Sequence, residues 1–415
     1  VLEQLKDSPV GHAPVPVKAS AARRYGTFAA IMLVYVFYSF CWNTENFLRP
    51  YVAQALGLSR IEVTAFYTAQ ATGALIGAIV LSQIADRYSR RNTLVAISIG
   101  IGVAALGVVF VVDFRTAMLQ RFVMGFFLGG VFGCVVSVYV GLFSATVLGF
   151  LSGLVQLVYN GGDALLSWFG RHYDASNWQQ LLQIGGCGAI CAGLVVWLVV
   201  PADRHRALAA RQRGERPELR ELFEHGRWRL TGRLALLSGL NYFAFQSFNG
   251  WVTTYLREVH HYPSDMVGKL MTSLHLGSML GAIVWGLVGD RLGRRANLAG
   301  FLLAAVAIVV YMNVPPSAIS LGIAGFCYGF CIVSHGIWGP YFAELYPEHL
   351  RATAASIINW GRVVSLFGSL ASGWIAHEAG LRTVMYIGGA TYALAALLWW
   401  TLPETLRCGT QSGGR

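Results

Sequence analysis

A few charged or titratable side chains stand inside stretches that are otherwise apolar, and their types suggest proton and anion chemistry. Glu45 sits in Cys41-Trp-Asn-Thr-Glu45-Asn-Phe47, Arg121 opens Arg121-Phe-Val-Met-Gly125, and Asp163 closes Asn160-Gly-Gly-Asp163. A charge inside a lipid-spanning helix costs about 2.5–3.5 kcal/mol on insertion scales, so each needs a partner or a function. Glu45 and Arg121 both reach the outer third of the membrane by helical rise, so each can partner the other, and Asp163 is an alternative partner for Arg121 or a proton carrier. The competing reading places Glu45 and Asp163 near the outer water or headgroups. Arg362, after Asn359-Trp360-Gly361, suits an anionic substrate, because a guanidinium offers a carboxylate a forked pair of hydrogen bonds. Its competing role is an internal pair with Glu344 or a backbone carbonyl. His275 and His335 could join Arg362, or each could be a hydrogen-bonded packing residue. Polar and aromatic candidates for the same pocket are Tyr35, Tyr38 and Trp42 at helical spacing, Gln156 and Asn160 one turn apart, and Tyr242, Gln246, Asn249 and Trp338. Such an aromatic stripe is also what plain packing produces.

The elements that must position these groups follow from composition. The 415 residues are 55% hydrophobic and 12% charged, with mean hydropathy +0.53. Soluble domains carry roughly 25% charged residues, so a soluble enzyme or a nucleic-acid-binding protein is excluded despite the net charge of +11. Apolar runs at about 27–52, 61–84, 92–112, 115–143, 148–172 and 178–200 are followed by a polar stretch over 201–232. Further runs lie at about 233–258, 264–288, 295–313, 316–345, 350–378 and 382–402. Runs of ~20–25 apolar residues span a bilayer, and without water the backbone bonds itself into helices. The fold class is therefore an all-α membrane protein with twelve transmembrane helices. The domain reading is an N-terminal tail 1–24, a six-helix bundle 25–200, a linker 201–232, a second bundle 233–403 and a tail 404–415. Cys187/Cys191 and Cys327/Cys331 lack ligand-type neighbours at metal spacing and read as small packing residues. No metal or cofactor site is expected.

With both ends inside, 22 Lys and Arg fall on the cytoplasmic side, six on the other (Arg49 among them) and three within helices. That asymmetry puts both termini in the cytoplasm and the protein, multi-pass, in a cell inner membrane. Shifting the sequence by 204 superposes Gly73 and Gly77 on Gly277 and Gly281, Asp86-Arg87 on Asp290-Arg291, Arg90-Arg91 on Arg294-Arg295, and Gly125 on Gly329. The copies predict two six-helix bundles related by a pseudo-two-fold axis, with the substrate path between them. Under the same shift Glu45 becomes Asn249 and Arg121 becomes Gly325, so the charge belongs to the first half alone.

The repeated cytoplasmic segment, Gly286-Leu-Val-Gly-Asp290-Arg291-Leu-Gly293-Arg294-Arg295 with its first copy Ser82-Gln-Ile-Ala-Asp86-Arg87-Tyr-Ser89-Arg90-Arg91, resembles the signature of the major facilitator superfamily. So do Arg121–Gly129 in helix 4 and Glu344-Leu-Tyr-Pro347-Glu-His-Leu-Arg351 after helix 10, the latter resembling the sugar and aromatic-acid or sialate branches. The resemblance covers residues 25–405. It implies a cytoplasmic latch of Asp86, Arg87, Arg90, Asp290, Arg291, Arg294, Glu344 and Arg351 that closes across the bundle seam. It also implies a helix 1 acid paired with the helix 4 Arg as proton carrier, here Glu45 and Arg121. Ser82 and Ser89 depart from the glycines usual in the turn, and Leu148 and Phe150 stand where basic residues are usual.

These readings converge on a secondary transporter working by alternating access, with protons driving uptake of a small organic anion such as an aromatic or other carboxylate. A proton-coupled sugar or polyol symporter of the same fold is the alternative, followed by multidrug efflux or a non-transporting sensor. No metalloprotease, serine-hydrolase or P-loop motif is present, so no enzyme is expected. The expected partners are the small substrate, protons and lipid, without nucleic acid, and the working unit is a monomer.

Overall fold

The computed structural model describes residues 21–140, 143, 145–201, 219–224, 226–346, 354 and 357–405. Among these, helices α1 (Ala21–Leu56), α2 (Arg60–Arg87), α3 (Arg90–Leu106), α4 (Phe114–Val140), α5 (Ala145–Gly170) and α6 (Trp178–Val199) make the first half. The second half comprises α7 (Trp228–Glu258), α8 (Ser264–Arg291), α9 (Leu298–Asn313), α10, α11 (Ile357–Glu378) and α12 (Leu381–Trp400). Helix α10 runs from Ala318–Ile332 through a tighter 3-10 stretch, Val333–Ile337, into Trp338–Glu344. Nine of the described helical segments are long and apolar enough to cross a membrane. α7 begins at Trp228, five residues before the expected start of the second bundle at 233.

Local chemistry sets the boundaries. Gly57 takes φ +64° after α1, a left-handed conformation that costs glycine little. Ser59 then caps α2 in a reciprocal box, its hydroxyl accepting from the Glu62 N–H while the Glu62 carboxylate accepts from the Ser59 N–H. Asp113 caps α4 by accepting from the Thr116 backbone and hydroxyl, which holds its carboxyl below the usual range. In the turn before α9, Gly293 adopts φ +108°. The matching Ser89 instead lies extended at φ −166° and caps α3 through the Asn92 N–H. The first-half turn thus does without glycine because a hydroxyl cap takes its place.

The halves repeat one another in three dimensions. α1 packs on α5 and α6, α3 on α4 and α6, and α2 on α4. In the second half α7 packs on α11 and α12, α9 on α10 and α12, and α8 on α10. Small residues make the α2–α4 contact. A Cβ on Gly73 would lie 2.2 Å from the Phe122 carbonyl oxygen, and one on Gly125 2.0 Å from that of Gln70. The counterparts repeat it: Gly277 against Phe326 at 2.1 Å and Gly329 against Leu274 at 1.9 Å. Helix backbones that touch this way are held by close van der Waals packing, which association in lipid relies on.

Outward-facing residues such as Phe110, Leu198, Ile319 and Phe367 are exposed and apolar, whereas Glu45, Arg49, Gln70, Arg121, Asp163, Gln246 and Asn249 are buried. Cys187, Cys191 and Cys327 belong to the exposed set, which corrects their reading as packing residues: a weakly polar thiol is tolerated on an apolar outer surface.

Candidate functional site

Three helix pairs bring the halves together: α5 with α8, α2 with α11 and α1 with α7. Near the starts of α2 and α8, Arg60 Nη2 donates to Glu258 at 2.6 Å and Nη1 to the Ala376 carbonyl at 2.9 Å. The Thr68 hydroxyl donates to the Leu366 carbonyl and that of Ser369 to the Thr64 carbonyl. Gly268 meets Arg171 and Ser167 closely. All these bonds fall at one end of the bundle, opposite the start of α1 and called here the far end.

Below them, α1 carries a line of polar side chains with partners on four other helices. The first group surrounds Asp163. Gly162 lets α5 approach α1, since a Cβ there would lie 2.4 Å from the Val36 carbonyl oxygen. Ser39 Oγ and Asn43 Nδ2 then both donate to Asp163 Oδ1 at 2.5 Å, and Asn43 also donates to the Tyr159 hydroxyl. Asp163 Oδ2 faces His275 Nδ1 of α8, a residue of the other half, at 3.9 Å. Among the described residues no Lys or Arg lies within ion-pair distance of Asp163. Tyr35, Tyr38 and Tyr159 stack beside it with ring centroids 5.1–6.0 Å apart, and Trp42 adjoins Tyr38.

The second group is Arg121 of α4, whose Nη1 donates to Thr44 Oγ1 at 2.8 Å and to Gln70 Oε1 at 3.4 Å. The third is an ion pair within α1: Arg49 Nη2 donates to Glu45 Oε1 at 2.8 Å and to Oε2 at 3.1 Å. A further bond reaches Asn46, and the guanidinium carbon lies 4.8 Å from the centre of the Trp251 ring of α7. This corrects the expected Glu45–Arg121 pair. Glu45 acts on Arg121 through space, but its bonds go to Arg49, one turn along the same helix. Arg49 is buried, not an outer-loop cation, because α1 continues through Pro50 to Leu56.

Other expected site residues fall elsewhere. Trp338 and His335 belong to an aromatic cluster with Phe301, Phe342 and Trp399 inside the second half, and His335 Nδ1 is bonded to the Ile332 carbonyl. The 3-10 stretch turns both into the packing between α9, α10 and α12, which removes them from the substrate set. Asn160 donates to the Gln156 carbonyl, and Gln156 reaches Gly336 of α10 across the halves. Tyr242 packs at Gly361 of α11, while Gln246 and Asn249 are buried in α7, Gln246 meeting Gly250 beside Arg49. Arg362, Asn359 and Trp360 lie in α11, with side chains outside the described residues, as are those of Asp86 and Arg87 and the whole of Arg351.

At the other end, Arg294 donates to Asp290 at 2.6 Å and to Glu344 at 2.9 Å. Glu404 accepts from the backbone N–H groups of Arg294 and Arg295. This cluster lies within the second half; the described bonds of Asp290, Arg294 and Glu344 do not cross the seam, and Arg291 is exposed. Sequence reasoning missed Ser39, Asn43, Thr44, Arg49, Gln70 and Tyr159. For Arg49 a signal existed: an acid and a base four residues apart inside one apolar run.

A family model described as Major Facilitator Superfamily matches residues 31–365 and 234–407. A probable 4-methylmuconolactone transporter of Cupriavidus pinatubonensis is 23% identical over 94% of this chain and 92% of its own. The 3-(3-hydroxy-phenyl)propionate transporter of Escherichia coli is 25% identical over 78% and 79%. Among solved structures, the xylose transporter XylE of E. coli in a partially occluded inward-open conformation superposes with TM-score 0.72 at 16% identity, covering 93% of this chain and 99% of that one.

Proposed function

Since the chain belongs to the Major Facilitator Superfamily and is a multi-pass membrane transporter of small molecules, not an enzyme, we propose that it takes up a small organic anion together with protons. In this reading the far end faces outside and both termini lie in the cytoplasm of a cell inner membrane, as the distribution of Lys and Arg favours. One protein molecule performs the cycle.

The observation that carries the proton coupling is the placement of Asp163 against His275. The acid belongs to one half and the imidazole to the other, and the acid's remaining partners are the neutral Ser39 and Asn43. Opening the far end parts the two groups. The protonation of the pair and the position of the seam therefore depend on each other, which is the linkage that lets a proton gradient drive a conformational cycle. Support for an organic acid as cargo comes from a relative named for an arylpropionate. Arg121, a buried cation bonded to neutral side chains, and Arg362 in α11 point the same way. The ring wall of Tyr35, Tyr38, Trp42 and Tyr159 suits a flat substrate.

The test is uptake into proteoliposomes with an acid exterior, using 3-(3-hydroxyphenyl)propionate, benzoate and xylose as solutes. We expect a carboxylate to accumulate and a protonophore to abolish the accumulation. Uptake indifferent to the pH gradient would remove the coupling, and accumulation of xylose alone would move the cargo to sugars.

A further inference from the structure

Where α1 crosses α7, buried hydrogen-bonding groups face one another without being used. Arg49 spends Nε and Nη2 on Glu45 and Asn46, while Nη1, equally buried, has no hydrogen-bond partner. Gln246 of α7 is fully buried, and neither its amide nitrogen nor its oxygen is paired. Asn249, on the same face of α7 by its spacing, keeps Oδ1 unpaired. Gly250 lies between them: a Cβ there would stand 2.9 Å from Arg49 Nη1 and 3.0 Å from Gln246 Oε1. Buried amide and guanidinium groups each lose roughly 1–3 kcal/mol when left unsatisfied, and two such atoms, Arg49 Nη1 and Gln246 Oε1, meet at one glycine.

From this geometry we infer that Arg49 and Gln246 form a carboxylate subsite across the seam, with Gly250 as its floor and Trp251 as its wall. Arg49 Nη1 supplies one N–H donor, and the Gln246 amide, turned so that Nε2 takes the place of Oε1 beside Gly250, supplies a second from the opposite half, so a carboxylate held by both draws α1 and α7 together. The inference rests on the reading of the cargo as an organic anion and names the group that meets it. Glu45 already occupies the guanidinium of Arg49, so it competes with an incoming carboxylate for the same cation, while Arg121 of α4 and Glu45 also act on each other through space.

The experiment uses the purified chain and the probes formate, acetate and benzoate, read by thermal shift and by titration calorimetry. Glu45→Gln leaves Arg49 without its counter-ion. We expect this variant to bind the probes about tenfold more tightly than the wild type near neutral pH. A Glu45→Gln protein that binds none of the three overturns the subsite. Should that variant fail to fold, Gly250→Ala and Gln246→Leu keep the ion pair. Each should weaken benzoate binding about tenfold, and unchanged affinity in both overturns the inference equally. Carboxylate uptake that is gradient-driven in the wild type and intact in Gly250→Ala would sink the subsite and spare the transport reading. Probe binding by Glu45→Gln with no uptake in wild-type vesicles would do the reverse.

Discussion

Asp163 Oδ2 and His275 Nδ1 lie 3.9 Å apart on helices α5 and α8, which belong to different halves of the molecule. Each is a side chain that can gain or lose a proton, and the distance between them changes whenever the halves rock. Replacing Asp163 with Asn keeps the size and an acceptor for Ser39 but ends proton exchange. We expect Asp163→Asn to lose at least about tenfold in gradient-driven accumulation, a free-energy change of ~1.4 kcal/mol, while exchange of internal for external solute persists. Equal accumulation in wild type and variant would shift the coupling to another group.

Arg60 ties the start of α2 to Glu258 and to the Ala376 carbonyl at the far end. The pair is partly exposed, so its worth is about 0.2–1 kcal/mol and it weakens with salt. Arg60→Ala should open the far end a few-fold more often at low ionic strength. The check is labelling of a cysteine placed at Thr64, which is buried in the α2–α11 contact, by a membrane-impermeant reagent. The increase should shrink at high salt.

Gly77 of α2 and Gly281 of α8 press on the carbonyl oxygens of Phe126 and Phe330, where a Cβ would lie 1.8 Å and 2.2 Å away. Alanine at either position must push two helices apart. We expect each substitution to cost about 1–3 kcal/mol, as overpacking does, and to lower the unfolding temperature in detergent by a similar amount in both halves. A large difference between the two would argue that the halves are not mechanically alike.

Glu404 accepts from the N–H groups of Arg294 and Arg295 at the start of α9, so it serves as a cap supplied from beyond α12. Glu404→Ala should cost about 1 kcal/mol, typical of a lost N-terminal cap. Hydrogen exchange over residues 294–300 should rise, with the first half unaffected.

Much of the architecture could be read before any coordinates. The 204-residue shift pairs α2 (Arg60–Arg87) with α8 (Ser264–Arg291) residue for residue, because the glycines that set the shift are those pressed on neighbouring carbonyls. The site was less legible. The first apolar run ends at about residue 52 in the sequence, which puts Arg49 at its outer end, yet the chain stays helical to Leu56 and buries it. Glu45 pairs with Arg49 because the partner one turn along the helix is always in reach, whereas Arg121 requires a particular rotation of α4. That rotation is set by Gly125 and Gly129 against α2, and it aims the guanidinium at Thr44. Trp338 and His335 were misplaced because a 3-10 stretch redirects side chains in a way that no spacing rule for a regular α-helix captures.

The doubled glycine contacts make the two bundles equivalent as levers, but their ionisable cargo is lopsided. Glu45, Arg49, Arg121 and Asp163 correspond to Asn249, Thr253, Gly325 and Phe367 in the second copy. Among the described residues, only across the α5–α8 seam does the second copy answer one of these four positions with an ionisable group of its own, His275 opposite Asp163. A chimera built from two first halves would still hinge, yet it would trap four opposed charges where the native seam sets charge against amide.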